Sequence, residues 1–217
     1  MHNRLTALIA VAFCVSFLMP AKSAATSIIY SNLGTSPVFD PANSNLIGND
    51  FAGDNLAEAD TFEPSVTAQF GSLQLALSCF SACPDNFTVS LNADILGVPG
   101  TDIESFIVPE ASLTSTPTLL VFNSVLHPTL DAGTFYWVSI SSDLNDTIAW
   151  SDNTTFDPST QAVSFDGGST WNELGNTPSA YEVDSTVTTA APEPGTIALL
   201  AGGLIFVMGR RRISARQ

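Results

Sequence analysis

No lysine or arginine occurs between Lys22 and Arg210, while all 21 Asp and Glu residues lie between those two positions. A domain formed from this stretch repels itself and cannot make a single Lys or Arg salt bridge, a strain that external cations would relieve. The six basic residues sit at the ends: Arg4 and Lys22 near the start, and Arg210, Arg211, Arg212 and Arg216 near the finish. Nucleic acid is excluded as a partner, because phosphate binding needs clustered cations that the body lacks. The chain is not disordered either, since 45% of its 217 residues are hydrophobic and only 12% are charged. That length fits one or at most two domains.

Both ends read as targeting segments. Residues 1–25 have the order of a secretory signal peptide: Arg4, an apolar core over residues 5–19, and small residues before a cleavage point around residues 23–25. Cys14 lies inside that apolar core after Phe13, outside the small-residue context of a lipid-modified cysteine. At the other end, Pro192, Glu193 and Pro194 precede an almost wholly apolar run over residues 196–209 and then Arg210, Arg211 and Arg212. An uninterrupted helix of about 14 residues reaches about 21 Å, short of the roughly 30 Å hydrocarbon core. It makes a marginal permanent transmembrane helix, and Gly202 and Gly203 weaken it further. The arginines serve as a stop-transfer signal that keeps the preceding body outside.

The Pro192-Glu193-Pro194 motif, the short apolar span and the terminal arginine cluster resemble the PEP-CTERM sorting signal of Gram-negative bacteria. The resemblance implies export by the secretion translocon, transient anchoring in the inner membrane and processing by exosortase. It also implies an association with exopolysaccharide and biofilm. The bland alternative is an ordinary single-pass anchor behind a proline linker.

Between the ends, residues 26–184 read as one extracytoplasmic all-β domain, an antiparallel β-sandwich of jelly-roll type. Leu73, Leu75 and Leu77 alternate onto one face, as do Phe87, Val89 and Leu91. Further strands are expected over residues 59–63, 102–109, 118–123, 134–141, 161–165 and 180–184, separated by breaks such as Gly97-Val98-Pro99-Gly100 and Asp166-Gly167-Gly168. Residues 34–55 read as a long Asx-rich loop, and residues 185–191 as a linker ahead of the sorting signal at 192–217. The segments Leu96-Gly97-Val98-Pro99-Gly100, Leu130-Asp131-Ala132-Gly133-Thr134-Phe135-Tyr136-Trp137-Val138 and Ser164-Phe165-Asp166-Gly167-Gly168-Ser169-Thr170-Trp171 resemble the choice-of-anchor R domain. That resemblance implies a β-rich surface body joined to a sorting tail and hands over no catalytic residues.

Few residues in the body point to chemistry. Cys79 and Cys83 are the only cysteines left after signal removal, and in an oxidising compartment they read as a small structural disulfide. Zinc would need two more ligands than the pair supplies, and no cation lies nearby in sequence to make the thiols redox-active. His127, the body's sole histidine, lies beside Pro128 at a turn, with no Gly-x-Ser-x-Gly elbow in the chain to pair with it. Two carboxylates suffice for glycoside hydrolysis, a requirement that a chain with so many cannot fail and that therefore discriminates nothing. Calcium is the cofactor the composition brings to mind. Asp143, Asn145, Asp146, Asp152, Asn153 and Asp157 cluster in sequence with the right oxygen donors, but without the Gly and distal Glu of an EF-hand loop; residues 40–54 offer a second such stretch. A solvated Asx-rich turn region explains the same residues. Trp137, Trp150 and Trp171 read as core packing for at least two of the three, with a sugar-stacking platform as the alternative. Asn86, Asn145 and Asn153 begin sequons that in a bacterium are usually accidental. The expectation is a non-enzymatic structural or adhesive protein of the envelope or matrix, with a calcium-dependent carbohydrate-binding module second and a polysaccharide hydrolase third.

Overall fold

The computed structural model describes residues 27–49, 52–81, 83, 85–109, 112–143 and 145–186. The expected signal peptide, sorting motif, apolar span and arginine cluster lie outside them. Among the described residues there is no α-helix, and thus none long and apolar enough to cross a membrane.

The all-β expectation holds. Strands β1 (Ile28–Ser31), β2 (Asp40–Asn49), β3 (Asn55–Phe62), β4 (Ala68–Cys79), β5 (Asn86–Ile95), β6 (Val98–Pro109) and β7 (Thr118–Asn123) make up the first part of the chain. They are followed by β8 (Thr129–Leu130), β9 (Tyr136–Ser141), β10 (Thr147–Asp152), β11 (Gln161–Ser164), β12 (Asn172–Leu174) and β13 (Tyr181–Ser185). They form one 13-stranded antiparallel sheet whose path runs β1-β13-β4-β10-β2-β3-β9-β5-β6, with β7 and β8 on β4, and with β12 joined through β11 to β3. The path narrows between β2 and β3, which pair only at Gly48–Leu56 and Asn49–Asn55.

Strands on both sides of that narrow joint supply one hydrophobic core. Leu73, Leu75 and Leu77 of β4, Ile148 and Trp150 of β10 and Tyr181 and Val183 of β13 share it with Phe87, Val89 and Leu91 of β5 and Val138 and Ile140 of β9. Rings meet across it: Tyr30 of β1 lies 5.5 Å from Phe62 of β3, and Phe70 of β4 lies 6.5 Å from Phe106 of β6. Burying each such side chain contributes about 1.5–3 kcal/mol, so this cluster is what holds the two stretches of sheet together.

Three expectations are corrected. Residues 34–55 are not one long loop, because ten of them form β2. Its sequence DPANSNLIGN lacks apolar alternation, but Ile47 is fully buried and the backbone pairs along β10. The register shift between Ser151 and Asp152 leaves three residues of β2, Pro41 to Asn43, as a bulge. Asp40 pins that bulge, its carboxylate accepting the Ala42 amide at 2.9 Å and the Asn43 side-chain amide at 2.8 Å. The expected break at residues 97–100 is a turn of Leu96 and Gly97 alone, both at positive φ (58° and 86°), as a two-residue hairpin loop requires; Val98, Pro99 and Gly100 belong to β6. Ser185, assigned to the linker by composition, is the last residue of β13.

Candidate functional site

β3 places two acids in the interior by period-two alternation. Ala59 packs on its outer side against Trp137 and Ala162, with Trp171 beside them. On the opposite side Glu58 and Asp60 share the face of Phe62, which belongs to the main core. Both acids are buried, Glu58 3% and Asp60 0% exposed. With no Lys or Arg available, neutral donors meet them. The Glu58 Oε1 accepts from the Gln161 side-chain amide and from the Ser179 hydroxyl, each at 2.7 Å. The Asp60 Oδ2 accepts the Ser179 backbone amide at 2.9 Å. Asn45 of β2 donates to the Ser179 hydroxyl at 3.1 Å and to Asp152 at 3.3 Å. Three oxygens of this group have no hydrogen-bond partner: Glu58 Oε2, Asp60 Oδ1 and Gln161 Oε1.

The electrostatics follow from burial. Loss of water pushes the Glu58 carboxyl up to about 8, against the pull of its Ser179 and Gln161 hydrogen bonds. Burial and then the neighbouring Glu58 raise Asp60 well above the ordinary carboxylate range. Asp152 is pushed up to about 6 by burial and by Asp40. At neutral pH Glu58 and Asp60 are thus held largely as neutral acids, while Asp152 is largely ionised. Glu58 and Gln161 line an open pocket of about 200 Å³ together with Asn45, Leu46, Leu56, Val163, Phe165, Leu174 and Asn176.

A second acidic group lies at one end of β10. Oxygens of Asp85, Asp143 and Asp146 lie within 4.8 Å of one another, Asp146 buried and the other two exposed. Asn145 bridges them, its side-chain amide 3.3 Å from Asp85 and 3.4 Å from Asp143. Asp146 accepts from the Ser142 hydroxyl at 2.7 Å and from the Asp85 amide at 3.4 Å. These are the described residues that could hold a hard cation. The sequence cluster of six does not assemble there. Residues 147–152 are the strand β10, about 20 Å of extended chain at 3.3 Å per residue, so Asp143, Asn145 and Asp146 lie at one end and Asp152, Asn153 and Asp157 at the other. Asn153 is buried with its side-chain amide on Pro178 O at 2.6 Å, and Asp157 accepts the Tyr30 hydroxyl.

The remaining sequence candidates fall into structural places. Cys79 at the end of β4 and Cys83 are joined in a disulfide, with Cα atoms 6.0 Å apart. His127 is exposed at φ 48°; its Nδ1 lies 3.1 Å from Phe70 O, and its backbone amide donates at 2.9 Å to Ser124 Oγ, whose hydroxyl in turn donates to Glu104 at 2.6 Å. Trp137 and Trp150 are fully buried, with indole N–H groups on Asp94 and on Ala180 O; Trp171 is half-buried. Asn86 and Asn145 are exposed. Pro192, Glu193, Pro194, Arg210, Arg211 and Arg212 lie outside the described residues. Sequence reasoning missed Glu58 and Asp60, whose one signal was their period-two placement between Leu56 and Phe62; it also missed Asp85, which reaches Asp143 only through the fold.

No curated protein matches the chain. Residues 190–212 match the PEP-CTERM protein-sorting motif, as the residue order at 192–212 led one to expect. The motif covers the end of the chain and leaves the β body outside the match. It marks an exported protein that is anchored in the membrane, handed to exosortase and sorted to the surface.

Proposed function

We propose that the protein is a structural or adhesive module of the Gram-negative cell envelope or extracellular matrix, working among exopolysaccharides and without catalysing a reaction. The sorting motif at residues 190–212 carries this reading, because a chain routed to the surface and released from its tail acts through what its body touches. Support also comes from the body itself. Each of its three segments that resemble the choice-of-anchor R domain joins a tight turn, at Leu96-Gly97, Asp131–Gly133 and Asp166–Gly168, to residues of an adjoining strand, with positive φ at Leu96, Gly97, Gly133, Gly167 and Gly168. These are scaffold features rather than reactive groups.

The test is C-terminal peptide mass spectrometry on the protein from its host, with membrane, envelope and medium separated. An acid-directed protease is needed, since the body has no Lys or Arg for trypsin. A C-terminus near residues 192–194 in the envelope or medium is the expected outcome. A full-length chain ending at Gln217 in the inner membrane would overturn the reading in favour of a plain anchor.

A further inference from the structure

Within the buried acid group, a hydroxyl, a carboxyl and an amide stand in an order that the sorting reading does not use. One oxygen, Glu58 Oε1, accepts both the Ser179 hydroxyl and the Gln161 side-chain amide, each at 2.7 Å. The hydroxyl oxygen and the amide nitrogen therefore lie within about 5.4 Å of each other and share one proton acceptor. Asn45 holds the same hydroxyl from another side at 3.1 Å. The Gln161 carbonyl oxygen carries no hydrogen bond. Asp60, directly opposite Gln161 in the β3–β11 register, accepts the Ser179 amide on Oδ2 and leaves Oδ1 without a partner. Glu58, Asp60, Gln161 and Ser179 are each at most 3% exposed, so bulk water does not compete for them.

From this geometry we propose that the body joins Ser179 to Gln161 by an ester, in a reaction with itself that releases ammonia. Ser179 Oγ bonds to Gln161 Cδ, and the bond from Cδ to Nε2 breaks. Glu58 Oε1, ionised for the step, takes the hydroxyl proton from one side and hands it to Nε2 on the other, so that nitrogen leaves as ammonia. A hydroxyl and an amide go in, an ester and ammonia come out, and nothing is oxidised or reduced. Each chain reacts once, which is self-modification rather than turnover. Asn45 fits less well as the electrophile: it is half-buried, and it presents its N–H rather than its carbonyl carbon to the Ser179 oxygen.

Burial supplies what the step needs. It pushes Glu58 up to about 8, so the ionised form is a stronger base than an exposed carboxylate. It also keeps Asp60 protonated, and across the β3–β11 pair that proton is available to the Gln161 oxygen as it turns negative. Groups held together in this way reach effective concentrations of about 10⁵–10⁸ M, and dilution of the ammonia into the medium draws the reaction forward. The product has a mechanical use. Ser179 bridges to Asp152 of β10, while Gln161 lies in β11 on β3, so the ester ties together two stretches of sheet that β2 and β3 join at only two residue pairs. This inference goes beyond the adhesive reading and does not rest on it. Its failure leaves the C-terminal processing result untouched.

The test is peptide mapping by mass spectrometry on the exported protein purified from its host, denatured and cut with an acid-directed protease. The expected result is that the peptides holding Gln161 and Ser179 are recovered as one joined species, lighter than the two together by the about 17 Da of one ammonia. Mild alkali should part them, leaving Ser179 unchanged and a carboxyl in place of the amide at position 161, about 1 Da heavier than encoded. Ser179→Ala and Glu58→Gln should each abolish the joined species. Recovery of the two peptides apart at their encoded masses, a link from Ser179 to Asn45 instead, or undiminished linkage in a folded Glu58→Gln variant would overturn the proposal. The map of the unaltered protein needs no variant and stands if neither variant folds.

Discussion

Glu104 illustrates how single residues hold an anion here without a cation. It is buried on β6, and its carboxylate accepts the Ser124 hydroxyl and the Val125 amide, each at 2.6 Å, and the Leu126 amide at 3.1 Å. Burial raises its pKa, but these donors outweigh burial and hold it below the ordinary value. Glu104→Ala strands those donors and should cost about 2–3 kcal/mol in urea unfolding, with Glu104→Gln milder. Because the folded-state pKa is depressed, this contribution is present at neutral pH and is lost as pH falls through it. The disulfide acts on the unfolded chain instead. Closing a loop between residues four apart restricts that chain by about 2 kcal/mol, so a Cys79→Ser, Cys83→Ser double variant should lose roughly that much while keeping its circular dichroism. The cysteine pair could be read from the sequence because local spacing brings its members together. The role of Glu104 could not, since its donors come from about 20 residues further along the chain, in the turn that follows β7.

Elements were legible in proportion to their own apolar alternation. β4 and β5 announce themselves by Leu73, Leu75 and Leu77 and by Phe87, Val89 and Leu91, each with neighbours of opposite character. β2 and β10 do not, because polar residues occupy much of them and their pairing partners define them. Missing β10 joined two Asx-rich turns into one apparent calcium cluster. β3 hid its acids for a different reason: Glu58 and Asp60 lie on the same face as the core residue Phe62, and an acidic residue in a strand carries no local sign of being buried. The pH behaviour of the body should expose them. A carboxyl whose folded-state pKa is raised stabilises the fold below its unfolded value near 4.5, and that stabilisation is lost as pH rises towards about 8. The melting temperature should therefore fall by at least about 5 °C between about pH 5 and about pH 8, and Glu58→Gln, which keeps the site neutral, should flatten the profile. A melting temperature that rises over that range would mean the acids are ionised and paired in the folded state.

At the scale of the whole molecule, the charge distribution of the chain becomes a property of the fold. A body with 13 antiparallel strands closed over one core brings together carboxylates that the extended chain keeps apart, and no lysine or arginine interleaves them. Mutual repulsion should then make its stability depend on ionic strength to an unusual degree. Raising sodium chloride from about 10 mM to about 500 mM shortens the screening length from about 30 Å to below 5 Å and should raise the melting temperature. Calcium separates screening from binding. At matched ionic strength, an additional rise with calcium that Asp146→Asn removes would locate a bound ion at Asp85, Asp143 and Asp146, whose oxygens already lie within 4.8 Å of one another. If sodium and calcium act alike at equal ionic strength, the hydrogen bonds from Asn145 and Ser142 are what hold that group, and cations act on the body only as a diffuse atmosphere.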